Sequence, residues 1–207
     1  MSDKRVIHLV DDDEAVRRSA GFMLKTSGFS VHSYESGDAL LKDVKQAEQG
    51  CILLDIRMPG MDGMEVQREL NSRGIAMPVV VLTGHGDVGT AVEAMKQGAV
   101  DFLEKPFEKA ALLGAIDTAF ERLERGVDGG LAEQEAQVRI AKLTDRERDV
   151  LQGLVRGHPN KTIAYDLGIS PRTVEVHRAN MMTKLDVRSL SEALRIAFAA
   201  GLNGQAS

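Results

Sequence analysis

The sequence predicts an α/β fold, a doubly wound five-stranded parallel sheet, followed by a small all-α domain of four helices. Two observations lead to this prediction. Between Arg5 and Arg125, short apolar runs alternate strictly with stretches of helical spacing, the pattern of a parallel sheet with helices on both faces. From Leu143 onward the apolar residues keep helical spacing alone, which predicts helices without strands.

Five short apolar runs are the predicted strands. The third, Cys51–Leu54, is apolar throughout, as expected of a strand that is buried on both faces of the sheet. It leads directly into Asp55, and Pro59 and Gly60 then break the run, so a loop is predicted there. The other four strands are predicted at 5–10, 30–34, 79–83 and 101–104.

The stretches between the strands carry helix start and stop signals. Ser36 is a predicted cap for a short second helix through Val44. Gly28, Gly74 and Gly98 each follow a stretch of helical spacing and are predicted helix ends. The fifth helix shows one continuous apolar face, made of Leu112, Leu113, Ile116, Ala119, Phe120 and Leu123.

The C-terminal helices are delimited by similar signals. Thr144 with Glu147 three residues later is a predicted capping box. Asn160 is a predicted cap of the second helix of this domain. Ser170 followed by Pro171 predicts the start of the third, since proline is favoured at the first helical position. The fourth is predicted at 190–200.

Composition divides the chain into an acidic front and a mildly basic back. Residues 1–126 hold 15 Lys and Arg against 21 Asp and Glu, and residues 127–207 hold 11 against 10. With the GVDGG stretch at 126–130 as a flexible break, we predict a first domain at 1–125, a partly helical linker at 126–142 and a second domain at 143–207.

The single cysteine, Cys51, excludes an intramolecular disulfide. No membrane segment is expected, so the predicted location is the cytoplasm.

Chemically active side chains follow the predicted strands. Asp11 and Asp12 follow the first, Asp55 ends the third, Thr83 the fourth, and Lys105 follows the fifth. Because the carboxyl ends of parallel strands share one edge, these groups are expected to converge there. Three repelling carboxylates need a cation, and oxygen ligands suit Mg²⁺. One free carboxylate oxygen could then attack a phosphoryl group. Singly, each residue also fits an ordinary role, such as an acidic helix start or a surface lysine.

Residues 1–125 resemble the receiver domain of two-component response regulators. The resemblance is carried by Asp11-Asp12, by DIRMPGMDG from Asp55, by TGHGD from Thr83, and by Lys105-Pro106. It implies that Asp55 is the phosphoacceptor and that Thr83 and Lys105 hold the phosphoryl group. It implies a Mg²⁺ site with Asp12, Asp55 and the backbone carbonyl of Arg57 as direct ligands and with Asp11 binding directly or through water. It also implies a cis bond before Pro106.

The same resemblance implies a conformational switch. Thr83 and Phe102 are expected to rearrange together when Asp55 carries phosphate. His85 and Arg57 flank the pocket, at positions that tend to tune how long the phosphate lasts. His85 fits the role of an exposed loop imidazole equally well.

The segment from Leu143 resembles a LuxR-type DNA-binding domain. The turn around Gly168 between the second and third helices fits a helix-turn-helix, and the matching stretches are LTDRERDVLQGLVRG and NKTIAYDLGISPRTVEVHRANMMTKL. The resemblance places the third helix in the major groove. Residues expected to face the groove are Arg172, Glu175, Val176, Ala179 and Asn180. Candidates for DNA-backbone contact or packing are Thr173, His177, Arg178 and Lys184.

The whole chain resembles the NarL/FixJ family of response regulators. The implied function is a phosphorylation-activated transcriptional regulator, with a FixL-like sensor histidine kinase as phosphate donor and double-stranded promoter DNA as target. Within that family the chain is most similar to the FixJ branch, which implies control of oxygen-responsive or nitrogen-fixation genes. A homodimer is expected on phosphorylation, through the face made by the fourth helix, fifth strand and fifth helix.

Two other functions compete with this reading. A Mg²⁺-dependent phosphatase could use Asp55 as a transient nucleophile, but such enzymes need a second acid two positions later, where this chain has Arg57. A DNA-binding protein independent of phosphorylation would not need the set of Asp12, Asp55, Thr83 and Lys105. We therefore expect no enzymatic turnover beyond self-directed phosphoryl transfer and dephosphorylation.

Overall fold

A computed structural model of the chain describes residues 5–84, 88–125 and 133–202. The chain divides into two compact units. The first comprises Met1–His85 with Gln97–Asp128, and the second comprises Gly86–Lys96 with Gly129–Ser207. The predicted domain limits at 125 and 143 stay predictions. The GVDGG stretch at 126–130 and His85 lie outside the described residues.

The first unit is built on a five-stranded, fully parallel sheet. The strands are β1 (Val6–Val10), β2 (Ser30–Tyr34), β3 (Gly50–Asp55), β4 (Val79–Thr83) and β5 (Asp101–Glu104). Their order in the sheet is β2-β1-β3-β4-β5, which confirms the predicted doubly wound parallel sheet. The three interior strands, β1, β3 and β4, are buried along their whole length.

Helices follow the strands in the predicted alternation. Four belong to the first unit, and α4 is grouped with the second. Their bounds are α1 (Glu14–Thr26), α2 (Gly37–Asp43), α3 (Gly63–Ser72), α4 (Val88–Lys96) and α5 (Lys109–Arg125). α1 and α5 cover one face of the sheet, where Leu24 and Ile116 pack with Leu9 and Leu53 in one core that also holds Cys51. Cys51 is thus a small core residue, as predicted.

Local signals in the sequence fix how these helices begin and end. Ser36 caps α2 by accepting from the N–H of Ala39, as predicted. Gly28, Gly74 and Gly98 all have positive φ beyond their helices, which is the conformation that glycine adopts most readily. Gly63 opens α3 so close to β3 that a side chain there would collide with the carbonyl of Asp55.

The C-terminal part of the second unit is all-helical. Ala136 and Ile140 of α6 are buried, so the predicted linker contributes a fifth helix to the four predicted ones. The helices are α6 (Glu133–Ala141), α7 (Asp145–Val155), α8 (Asn160–Leu167), α9 (Pro171–Leu185) and α10 (Leu190–Ala199). Within the described ranges, no helix has both the length and the apolar stretch needed to cross a bilayer.

Two of the three predicted start signals of these helices hold. Thr144 and Glu147 form the capping box of α7, and Ser170 caps α9 with proline at its start. Asn160 does not cap α8: the cap position is Pro159, without a side-chain bond. The Asn160 Oδ1 atom instead accepts a hydrogen bond from Arg178 Nη1 at 2.9 Å. The prediction was wrong because a tertiary partner competes for that side-chain oxygen.

A buried ion pair ties α7 to α9. Lys184 Nζ lies 2.7 Å from Glu147 Oε2, and the Glu147 side chain is only 4% exposed. Burial raises the pKa of Glu147, but the hydrogen bonds from Lys184 and Thr144 outweigh it and leave the pKa below its usual value. The pair therefore stabilises the helices fully at neutral pH, and this contribution is lost as the pH falls through the lowered pKa of Glu147.

Replacing Lys184 is expected to cost more than replacing Glu147. Lys184→Met leaves a buried carboxylate without its cation and should lower the free energy of unfolding by about 3 kcal/mol. Glu147→Gln leaves an ammonium that is 38% exposed and can rehydrate, so we expect a loss of only about 1 kcal/mol. Urea unfolding followed by circular dichroism measures both. Equal losses, or a larger loss for Glu147→Gln, would contradict the asymmetry.

Candidate functional site

The predicted polar residues do converge at the carboxyl edge of the sheet. Val10 pairs with Leu54 in the register of β1 and β3, so Asp11 and Asp55 leave neighbouring strands side by side. Asp11, Asp55 and Thr83 are buried, whereas Asp12 is exposed. One carboxylate oxygen each from Asp11, Asp12 and Asp55 lies within 4.8 Å of the others. The strands thus assemble an acidic pocket that opens at Asp12.

Lys105 bridges the two buried carboxylates. Its Nζ atom lies 2.6 Å from Asp11 Oδ2 and 3.0 Å from Asp55 Oδ1. Its backbone N–H donates to the carbonyl of Thr83 at 2.8 Å, which anchors the lysine to the end of β4. The bond between Lys105 and Pro106 is cis, as the resemblance implies.

The charges of this pocket constrain one another. Burial raises the pKa of Asp55, as does the charge of Asp11, while the hydrogen bond and charge of Lys105 act against them without reversing the rise. Burial lowers the pKa of Lys105, but its bonds to Asp11 and Asp55 outweigh that and raise it. The ammonium therefore stays charged, and a buried carboxylate remains poorly compensated.

The donor set of the pocket fits a magnesium ion. Mg²⁺ prefers oxygen ligands about 2.0–2.1 Å away in an octahedron, usually with several waters retained. Three carboxylates with oxygens this close together can supply such ligands, and the exposure of Asp12 leaves room for water. The backbone N–H of Arg57 donates to the Asp55 carboxylate. Its carbonyl as a further ligand stays a prediction.

The two predicted switch residues lie on neighbouring strands. Thr83 is buried, and its hydroxyl donates to the carbonyl of Leu103 on β5 at 3.4 Å. Phe102 precedes that acceptor in sequence and is half-buried. A change in the direction of the Thr83 hydroxyl therefore breaks a bond to the residue next to Phe102.

Arg17 contacts the acidic pair and was not predicted from the sequence. Its Nη1 atom donates to the carbonyls of both Asp11 and Asp12, at 2.7 and 2.8 Å. A signal was present, because a cation in the first turns of a helix runs against the helix dipole and needs a local reason.

An exposed aromatic on α1 was also missed. Phe22 is 70% exposed and lies with Glu14, Ala15, Arg18 and Ser19 along a shallow groove. No periodicity could flag it, because the sequence alone does not show which face of α1 is left uncovered.

The structure shows which residues of α9 are exposed and which are buried. Val174, Met181 and Leu185 are buried and pack the helical core. Thr173, His177 and Arg178 are half-buried. The exposed residues are Pro171, Arg172, Glu175, Val176, Ala179, Asn180, Thr183 and Lys184; among these, Pro171 and Thr183 were not predicted as DNA contacts.

Two predicted DNA contacts are engaged within the helical unit. Arg178 holds Asn160 of α8 and is half-buried, and burial lowers its pKa. Lys184 is the partner of the buried Glu147. Both cations brace α9 against α8 and α7, whereas the Arg172 side chain is 86% exposed and pairs only across the surface with Glu175.

Known proteins share both parts of the chain. The response regulator receiver domain matches residues 7–117, and the luxR family of bacterial regulatory proteins matches residues 141–197. The chain belongs to the response regulators that join a receiver to a LuxR-type helix-turn-helix, and it is a transcriptional regulator that phosphorylation activates.

The similarity to individual relatives extends over nearly the full length. The transcriptional regulatory protein FixJ of Azorhizobium caulinodans is 52% identical over 98% of this chain and 96% of its own. FixJ of Rhizobium meliloti is 49% identical over 94% and 96%. The crystal structure of full-length FixJ from B. japonicum is 45% identical over 96% and 98%, with a TM-score of 0.58.

Removing the Asp55 charge is expected to stabilise the metal-free protein. Because burial and Asp11 disfavour the Asp55 carboxylate, Asp55→Asn should raise the free energy of unfolding of the first unit by about 1 kcal/mol without Mg²⁺. Asp117→Asn, which alters an exposed pair with Arg5, is the control and should stay within about 0.5 kcal/mol. Thermal unfolding in EDTA makes the measurement, and a destabilised Asp55→Asn variant would refute the charge argument.

Proposed function

We propose that Asp55 is the phosphoacceptor of this regulator and that Mg²⁺ bound at Asp11, Asp12 and Asp55 assists the transfer. The observation that carries the proposal is the Lys105 ammonium, held 2.6 Å from Asp11 and 3.0 Å from Asp55 at the sheet edge. A half-buried lysine that already bridges carboxylates can turn to the oxygens of a phosphoryl group without moving its backbone.

The transfer itself needs a nucleophile and charge stabilisation. A carboxylate oxygen of Asp55 attacks the phosphorus of a phosphohistidine, the new O–P bond forms as the P–N bond breaks, and the histidine nitrogen leaves with the electron pair. When bound, Mg²⁺ supplies positive charge for the phosphoryl oxygens. Lys105 contacts one of those oxygens, and Thr83 donates its hydroxyl to another. Hydrolysis of the acyl phosphate later returns Asp55 to its starting state.

The switch begins when the Thr83 hydroxyl loses its hydrogen bond to the carbonyl of Leu103. Its hydroxyl points to the Leu103 carbonyl and turns to the phosphoryl group after transfer. The freed space beside β5 lets Phe102, which is only half-buried, turn inward. The surface around β5 thereby changes, and the protein dimerises through the face of α4, β5 and α5.

The phosphate donor is a sensor histidine kinase of the FixL kind. A kinase helix that presents its phosphohistidine to Asp55 can pass over α1, because α1 begins immediately after Asp13 at the rim of the acidic pocket. The 70% exposed Phe22 gives that helix an apolar anchor on α1.

The dimer places two copies of α9 on two half-sites of promoter DNA. Arg172, Glu175, Val176, Ala179 and Asn180 enter the major groove, which their exposure permits. Glu175 can accept from cytosine N4, and the short Ala179 can contact a thymine methyl group.

Phosphate-donor treatment of the full chain tests this function. With acetyl phosphate and Mg²⁺, wild type should show one shifted band on Phos-tag gels, sediment as a dimer and protect promoter DNA. Asp55→Asn should do none of these, while Asp38→Asn, which changes an exposed acid, should behave as wild type. Dimerisation of Asp55→Asn by the donor would refute the assignment. Steady hydrolysis of p-nitrophenyl phosphate would instead support the phosphatase.

Arg172 and Arg178 are expected to affect different properties. Arg172→Ala should weaken promoter binding by about 1–3 kcal/mol, because the exposed guanidinium lies at the N-terminal end of the recognition helix. Arg178→Ala should lower the free energy of unfolding by about 1 kcal/mol, because it removes the bond to Asn160, and should bind DNA normally once folded. Fluorescence anisotropy and urea titrations separate the two, and the opposite assignment would contradict the geometry of α9.

A further inference from the structure

Arg17 reaches the acidic pair from the first turns of α1. Its half-buried guanidinium uses a single nitrogen, Nη1, to donate to the carbonyl of Asp11 at 2.7 Å and to that of Asp12 at 2.8 Å. Two consecutive carbonyls therefore point at one cation, which fixes the orientation of both peptide groups between β1 and α1.

The two aspartates differ in how they are otherwise held. The Asp11 carboxylate accepts from the N–H of Asp13 at 3.0 Å and from Lys105 at 2.6 Å, so its position is fixed by two further bonds. Asp12 is exposed, and the bond from Arg17 holds its carbonyl. The direction of the Asp12 carboxylate thus depends strongly on Arg17.

We infer that Arg17 is a positioning residue for the metal site: it fixes the backbone at Asp11 and Asp12 so that their carboxylates converge with that of Asp55. The inference rests on the Mg²⁺ site proposed above. Groups that orient metal ligands without touching the metal commonly change metal affinity by about 10–100-fold when they are removed.

The charge of Arg17 acts in the opposite direction to its hydrogen bonds. A cation close to the site repels Mg²⁺, so removing the charge alone would tighten metal binding. Removing the hydrogen bonds lets Asp12 move away and weakens binding. The sign of the change therefore distinguishes positioning from electrostatics.

The neighbouring Arg18 provides a matched control. It carries the same charge one residue along α1, but its 79% exposed side chain pairs with Glu14. Among the described residues, it forms no hydrogen bond or ion pair with Asp11 or Asp12. Arg17→Met and Arg18→Met remove the same charge from the same helix, and only the first removes bonds to the Asp11 and Asp12 carbonyls.

Isothermal titration of the unphosphorylated full-length chain with Mg²⁺ tests the inference. Arg17→Met should bind about 10-fold more weakly than wild type, and Arg18→Met should stay within about 2-fold of it. Unchanged or tighter binding by Arg17→Met would overturn the inference. If Arg17→Met does not fold, Arg17→Gln decides in its place, since it is neutral and retains one short donor: weaker binding supports positioning, and equal or tighter binding overturns it.

A second readout separates positioning from a general structural effect. In phosphorylation by acetyl phosphate, the Mg²⁺ concentration for half-maximal rate should rise about 10-fold in Arg17→Met, with the rate at saturating Mg²⁺ within about 3-fold of wild type. A fall in the saturated rate at unchanged half-saturation would refute the inference. Absence of Mg²⁺ binding by wild type would overturn the proposed metal site and this inference with it, whereas normal wild-type binding with an unaffected Arg17→Met overturns the inference alone.

Discussion

The contact of Lys105 with two buried carboxylates is the constraint on which the first unit depends. Asp11 and Asp55 leave adjacent strands and are almost fully removed from water, where like charges repel strongly. The Lys105 ammonium between them lowers the electrostatic cost of burying both carboxylates when no metal ion is bound. Because one carboxylate remains poorly compensated, we propose that the pocket binds Mg²⁺ and that Lys105 then contacts a phosphoryl group on Asp55.

The parallel sheet explains why this contact exists at all. Strand order β2-β1-β3-β4-β5 puts the ends of β1, β3, β4 and β5 along one edge, so residues far apart in sequence meet without any long loop. Thr83 ends β4, and its carbonyl anchors the backbone of Lys105. Its hydroxyl donates to Leu103 of β5, so one side chain links the end of β4 to the neighbouring strand. In the helical unit, Arg178 and Lys184 hold α9 so that its other face stays exposed.

Most of the fold and of the acidic pocket could be predicted from the sequence, because the interactions that determine strands and helix ends are largely local. Apolar runs such as Cys51–Leu54 and caps such as Ser36 and Ser170 depend on neighbouring residues, and all are found as predicted. The acidic pocket was also predictable, since parallel strands align their carboxyl ends. The prediction that was wrong, the cap of α8, depends on a tertiary contact. Asn160 has the chemistry of a cap but accepts from Arg178.

Residues on α1 and α9 show the same limit. From the sequence, Arg178 and Lys184 are candidates for DNA-backbone contact or packing, and only the structure shows that each has a partner on another helix. Arg17 gave only a weak signal, because the two carbonyls that it bonds become visible only when β1 turns into α1. Phe22 lacked any signal, since its exposure is decided by which face of α1 packs on the sheet.

The most direct test of the account is a crystal structure of the full chain with Mg²⁺ and beryllofluoride, a mimic of the phosphoryl group. Beryllofluoride is expected on Asp55, with Mg²⁺ beside it on Asp11 and Asp12. Lys105 is expected to have moved from Asp11 to a fluorine, and the Thr83 hydroxyl to have turned away from Leu103. An ordered pocket with nothing bound at Asp55, or beryllofluoride bound while Lys105 still bridges Asp11 and Asp55, would contradict it.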